Sequence, residues 1–322
     1  MRAGTRTFRP LSTCSRGRSD HLAWRVGLFL LLSALILPAC GSTASQPSTS
    51  KLQIVAAENF WGSIAGQLGG DKVAVTSLIR NPDTDPHDYE PSPGDGRAVA
   101  GARYVIVNGA GYDPWASKLI QSNPSGSRQE LDVGGLVGVG DGGNPHLWYD
   151  PGYVAAVIDR ITADLQRLDP QDRAYFGRQH DWYVSSGLQR YNQLRTEIAQ
   201  RYANAPVGAT ESIFAYQARS LGLRLVTPPA FMNAINEGAE PSAEDKATFN
   251  SQIDEGQLEV LVFDEQNATP DVRSLVGRAR TRKIPVVAIT ETLQPASATF
   301  QSWQVDQLQR LRDALATGSA GR

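Results

Sequence analysis

Cysteine is nearly missing from this chain of 322 residues. The only two, Cys14 and Cys40, both fall in the first 40 positions. Nothing after Cys40 can therefore form a disulfide or supply a thiolate ligand. Histidine is scarce as well: His21, His87, His146 and His180 complete the list. There is no H-E-x-x-H and no G-x-S-x-G, so the helix-borne zinc hydrolase site and the serine nucleophile elbow are both missing. The formal net charge is only −2, which excludes a broad basic surface for nucleic acid. Any metal site beyond the first 40 residues must be built from histidine, aspartate and glutamate.

Long apolar runs are also wanting. Val26–Leu37 is apolar but too short for a comfortable transmembrane helix. Six arginines and one acid, Asp20, share the first 39 residues with it. A basic region, a short apolar core and a small-residue exit predict a secretory signal over 1–39. Leu37-Pro38-Ala39-Cys40 resembles a bacterial lipobox, in which cleavage precedes the cysteine and the cysteine is acylated. That implies lipid at Cys40 and an extracytoplasmic protein anchored to the cell membrane. Residues 40–50 are rich in Ser, Thr, Gln and Pro, with no large apolar side chain. They read as a lipidated flexible tether.

From Leu52 onward short apolar strands alternate with helical patterns, the signature of α/β layering. Leu52–Ala57, Val73–Ile79, Tyr104–Val107 and Glu130–Val133 read as strands of a first lobe over 51–170. Asn59 reads as the cap of a helix over 60–68, and Asp150-Pro151 as another helix start. Gly134–Gly143 reads as a glycine-rich loop. Residues 171–204 contain no proline and show apolar side chains at helical spacing: Tyr175, Trp182, Leu188, Tyr191, Leu194, Ile198. They predict one long linking helix of roughly 45 Å at 1.5 Å per residue. The alternation resumes over 205–318 with strands at Val207–Ala209, Leu223–Val226, Glu259–Phe263 and Val286–Ile289. A proline-containing loop precedes a helix at 242–255. The expected fold is α/β: two lobes, each a parallel-sheet α/β sandwich, joined by one long backbone helix.

Asn81–Pro93 (N-P-D-T-D-P-H-D-Y-E-P-S-P) is too rich in proline for helix or central strand. It is a stiff loop that sets His87 among acids. His146 follows the glycine-rich loop, Glu211 the first strand of the second lobe, and Glu291 the last strand. Open parallel sheets bind ligands outside the carboxyl ends of their strands. Two imidazoles from one lobe and two carboxylates from the other would form a charge-neutral cage for a divalent cation. Mixed N/O donors suit Mn²⁺, Fe²⁺ or Zn²⁺. Taken singly, each acid reads as a solvated loop residue or a helix cap. Asp264 and Glu265 compete with Glu291 for the fourth place, and His180 reads as a surface or packing residue.

These residues bear a family resemblance. A-A-E-N-F-W-G-S-I-A (56–65), N-P-D-T-D-P-H-D-Y-E-P (81–91), V-N-G-A-G-Y-D-P-W (107–115) and N-P-H-L-W-Y-D-P (144–151) make the chain similar to the zinc- and manganese-binding receptors of bacterial ABC importers. The resemblance implies His87 and His146 as ligands and Glu211 as the third. It usually places an aspartate where Thr290-Glu291-Thr292 stands here. It also implies a monomer that captures a divalent transition metal and delivers it to a membrane permease, without catalysis. Zinc members often carry a histidine-rich loop, and residues 116–143 contain no histidine. With Glu211, this points toward manganese or iron. The competing classes are a secreted metallohydrolase, which needs an open coordination position beside a base, and a receptor for a metal chelate on the same scaffold.

Overall fold

The computed structural model describes residues 51–81, Thr84, Pro86 and 89–320. The signal, the tether, Cys40 and His87 lie outside the described residues. Two four-stranded parallel sheets organise the remainder. The first joins β1 (Leu52–Glu58), β2 (Val73–Ile79), β3 (Tyr104–Val107) and β4 (Gln129–Asp132) in the order β2-β1-β3-β4. The second joins β5 (Pro206–Ala209), β6 (Arg224–Leu225), β7 (Val260–Asp264) and β8 (Val286–Ile289) in the order β6-β5-β7-β8. Each sheet therefore reverses its direction of growth beside its first strand. That is the place where doubly wound sheets open a ligand crevice. The inner strands β3 and β5 are fully buried and apolar, whereas the edge strands β4 and β6 carry polar, exposed residues.

Between the sheets the chain is helical over Arg173–Trp182 and Gln189–Arg201, with a π turn at Tyr183–Gly187. The backbone helix expected from the sequence is one rod with this turn set into it. Leu188 N–H donates to the Tyr183 carbonyl at 2.9 Å, a five-residue step. The buried stripe is accordingly Phe176, Tyr183, Leu188, Tyr191, Leu194 and Ile198. Trp182, expected on that stripe, is 51% exposed, because Tyr183, seven residues after Phe176, holds the inward place; the π turn then carries the stripe on to Leu188.

Three local expectations also change. Asn59 does not cap its helix. The helix Asn59–Gly69 starts one residue earlier, and the Asn59 amide oxygen accepts from Leu293 N–H at 3.1 Å, across the two lobes. The glycine-rich loop contains a short helix, Val133–Val137, capped by Asp132. The proline-containing loop before residue 242 contains the helix Pro229–Asn236, whose prolines sit at its start, where a missing N–H costs nothing.

One apolar core runs through both lobes, from Ile54 in β1 to Leu315 in the closing helix Phe300–Ala320. Its centre is aromatic. Phe60 lies against Trp148 with ring centroids 4.2 Å apart, and Tyr149 against Trp303 at 5.8 Å. Such pairs contribute about 0.5–1.5 kcal/mol each beyond area burial. They fix residues 144–151 as a keystone between the sheets.

Candidate metal centre

The carboxyl ends of the strands converge on a buried polar pocket inside this core. From the second lobe, β5 runs out into Thr210-Glu211, and β8 into Thr290-Glu291-Thr292. From the first lobe, the turn His146–Tyr149 presents an imidazole. His146, Glu211 and Glu291 each offer one ligand atom, and all three atoms lie within 4.8 Å of one another. His146 Nε2 is 3.8 Å from Glu211 Oε1 and 4.0 Å from Glu291 Oε1. All three side chains are buried.

Each donor is held by its own partners. The Asn144 amide nitrogen donates to the Ser212 carbonyl at 2.8 Å, which fixes its oxygen as an acceptor. That oxygen lies 2.7 Å from His146 Nδ1 and also accepts His146 N–H at 3.1 Å. Nδ1 therefore carries the proton, and the Nε2 lone pair faces the carboxylates. Asn108 holds the same turn from the first sheet by donating to the Pro145 carbonyl at 2.9 Å. Asn108 follows β3 directly. The next residue, Gly109, has φ +68, and a Cβ there would sit 2.0 Å from an Asp132 carboxylate oxygen, so the turn requires glycine.

Glu211 Oε2 accepts from Asn267 Nδ2 at 3.2 Å, and Glu291 Oε2 accepts from the Tyr112 hydroxyl at 2.7 Å. The Glu291 turn is braced from beneath. Gln266 Oε1 accepts from Glu291 N–H at 2.7 Å and Thr292 N–H at 3.1 Å. Trp303 donates to the Thr290 hydroxyl at 2.8 Å. Tyr112 is held well above the usual phenol range by burial and by the charges of Glu291 and Glu58, so it stays a donor at neutral pH.

Asp264 and Glu265, the competitors for the fourth place, part company. Glu265 is exposed, since alternate residues of a strand face opposite ways. Asp264 is fully buried behind the pair, and burial together with the charges of Glu291 and Glu211 pushes its carboxyl well up. Its Oδ1 accepts from Gln266 N–H at 3.0 Å. His180 lies apart, 2.9 Å from Asp159 and 3.1 Å from Asp181.

The sequence reading missed Asn267, Tyr112, Gln266 and Asn144 as partners of the ligand candidates. Tyr112 and Asn144 stand inside quoted motifs; nothing local marks Asn267 or Gln266. A cleft of about 560 Å³ opens beside the pocket between the lobes, lined by Gly111, Asn144, Ser212, Asn236 and Asn267 among others. Its wall is amide-rich, suited to passing a hydrated cation inward. The His146 imidazole and the two carboxylates offer mixed N/O donors to a divalent transition metal.

The chain is similar to known metal-transport proteins. Residues 54–314 match the family model described as ZnuA, zinc-uptake complex component A, periplasmic. The manganese ABC transporter substrate-binding lipoprotein PsaA of Streptococcus mitis is 24% identical over 278 residues, covering 80% of this chain and 86% of that protein. The high-affinity zinc uptake system protein ZnuA of Bacillus subtilis is 23% identical, covering 90% and 96%. Among solved structures, the manganese-bound periplasmic metal-binding protein from Candidatus Liberibacter asiaticus superposes with TM-score 0.68 at 17% identity, over 83% of this chain and all of that one. A crystal structure of ZnuA superposes with TM-score 0.66 at 22% identity, over 84% and 99%.

Proposed function

The chain belongs to the ZnuA family of periplasmic zinc-uptake components, and from that premise we propose that it captures a divalent transition metal between its lobes and delivers it to an ABC importer. One observation carries the reading. A histidine from the first lobe and two glutamates from the second, all buried, turn their ligand atoms toward one point. Burying two carboxylates beside an imidazole costs several kcal/mol per ion unless charge of opposite sign joins them. A divalent cation supplies it. His146, Glu211 and Glu291 are three ligands of this cargo, and His87, on the loop after β2, is the fourth.

The family consists of substrate-binding proteins of transporters rather than enzymes. We read the chain as a carrier without hydrolytic activity, monomeric, with a membrane permease as its partner. Among the described residues no helix is long and apolar enough to cross a membrane. Anchoring is assigned to acylated Cys40, in keeping with the lipoproteins among its relatives. Cys40→Ala should release the protein from the membrane fraction; unchanged association would remove the anchor.

Elemental analysis of the purified protein before and after a strong chelator tests the main reading. About one equivalent of zinc, manganese or iron is expected, lost on chelation. A protein that carries none and takes none up is not a metal receptor.

A further inference from the structure

The three described ligand candidates are sealed: His146 is 0%, Glu211 1% and Glu291 2% exposed. An ion held among them cannot leave until something between the lobes gives way. Several bonds that cross between the lobes touch no ligand. Ser63 Oγ accepts from Phe300 N–H at 2.9 Å, Gln67 and Gln301 exchange amide hydrogen bonds, and Tyr149 donates to the Thr290 carbonyl at 2.8 Å. Tyr112 and Asn144 differ from these, because each also holds a ligand. Tyr112 does so deep in the core. Asn144 does so at the wall of the interlobe cleft, where it is only half-buried.

The two ends of the Asn144 amide serve different lobes. Oδ1 lies 2.7 Å from His146 Nδ1 and aims the imidazole. Nδ2 donates to the Ser212 carbonyl at 2.8 Å, next to Glu211 in the second lobe. The Asn144 backbone carbonyl also accepts from the Tyr216 hydroxyl at 2.9 Å, so the second lobe grips this residue twice. A planar amide cannot swing one end without moving the other. Parting the lobes here therefore frees the group that aims His146.

We propose that Asn144 is a positioning residue that ties the aim of His146 to the contact between the lobes, so that the metal leaves only after this clasp opens. The inference rests on His146, Glu211 and Glu291 being ligands, as proposed above. Asparagine suits the place because one short side chain carries both a donor and an acceptor. Aspartate would keep the acceptor for Nδ1–H and, as a carboxylate, make the imidazole a stronger ligand. It would lose the donor and set an oxygen against the Ser212 carbonyl oxygen. Aiming alone and clasping therefore predict opposite results for one substitution. Tyr216→Phe separates them again. It removes the hydroxyl that grips Asn144, leaves the Asn144 amide and His146 unaltered, and keeps the ring against Tyr153, 5.4 Å away.

The test loads wild-type protein, Asn144→Asp, Tyr216→Phe and Gln67→Ala with Zn²⁺ and follows its release by stopped flow into a zinc-chelating dye, at a dye excess where the rate no longer depends on dye. Association rates are measured with the metal-free proteins. Tyr216→Phe should release about fivefold faster, the worth of one neutral hydrogen bond, with association unchanged. Asn144→Asp should release at least as fast as Tyr216→Phe. Gln67→Ala, which breaks a cross-lobe pair remote from the ligands, should stay within about twofold of wild type. Thermal unfolding of the metal-free variants separates these effects from misfolding. Release from folded Asn144→Asp no faster than from wild type would overturn the clasp and leave Asn144 as an aiming group only. An unchanged rate in Tyr216→Phe, or equal acceleration in Gln67→Ala, would overturn it as well; in each case the receptor stands. Wild-type protein that takes up no Zn²⁺, Mn²⁺ or Fe²⁺ would overturn both.

Discussion

Two buried glutamates stand at equivalent places in the two lobes and live by different means. Glu58 closes β1, the strand beside which the first sheet reverses, and Glu211 lies two residues past β5, its counterpart in the second. Both are essentially without solvent. Glu58 faces Asp113, and burial together with that neighbouring charge holds its carboxyl well above the ordinary value. Asp113 in turn accepts Asn108 N–H at 2.7 Å and Gly109 N–H at 2.8 Å, so its oxygens brace the turn after β3. Burial beside Asp113 thus favours the uncharged form of Glu58. Glu211 instead looks across the lobes at His146, with Glu291 beside it. One topological position thus yields a structural acid in the first lobe and a ligand candidate in the second. What separates them is the company at the strand end: Glu58 meets the Asp113 carboxyl, whereas Glu211 meets the His146 imidazole and Glu291, a set that can hold a cation.

That contrast is broken most forcefully by supplying or removing the metal. A cation that binds only the folded chain adds about 4 kcal/mol at a thousandfold excess over Kd. Calorimetric melting should rise by several degrees with Zn²⁺ and fall back with EDTA. No shift with any divalent transition metal would mean that Glu211 is as structural as Glu58. Ligand deletion comes next. His87→Ala, His146→Ala, Glu211→Ala and Glu291→Ala should each weaken binding at least about tenfold, or roughly 1.4 kcal/mol, by isothermal titration. Part of each loss is the repulsion of carboxylates left facing one another.

Glu58→Gln sharpens the comparison from the other side. It removes no charge if Glu58 is protonated, so metal affinity should stay within about twofold of wild type, the scatter of independent sites. Its signature is in stability. A carboxyl raised above its ordinary value of 4.5 in the folded state favours folding below that value. The contribution is lost as pH rises through the folded pKa. Glutamine does not titrate. The variant should therefore gain on wild type as pH climbs above about 4.5, by at most about 1.4 kcal/mol per pH unit. Denaturant melts at pH 4, 6 and 8 check it. Parallel stability curves would show that Glu58 ionises without cost, and the contrast with Glu211 would lose its basis.

Much of this was legible in the chain, for physical reasons. The strands β2, β3 and β8 are short apolar runs that no water-facing segment would carry, and their bounds follow from the residues themselves. Asp150 before Pro151 announced its helix, and its carboxylate does accept from Gly152 and Tyr153 N–H. Glu211 and Glu291 could be named because each follows a strand in a parallel sheet, and His146 because of the motif 144–151; His146 in fact lies past a helix and a loop after β4. The rest depended on tertiary contact. No local pattern tells that Asn59 spends its amide on Leu293 rather than on a helix cap. The π turn hides in ordinary helical residues until Trp182 and Tyr183 compete for one inward place. Asn267 reads as a turn residue, and only the folded lobe brings it to Glu211. The strand read over 52–57 stops one residue short of Glu58, and nothing nearby in sequence shows that Asp113 faces it.

Anomalous diffraction from crystals grown with Zn²⁺ tests the central claim most directly, by locating the ion. The account predicts one strong peak between the lobes, about 2.0–2.2 Å from His146 Nε2, Glu211 Oε1 and Glu291 Oε1, with His87 as the fourth neighbour. A peak at another set of side chains, or well-ordered His146, Glu211 and Glu291 with no peak among them at saturating Zn²⁺, would contradict it.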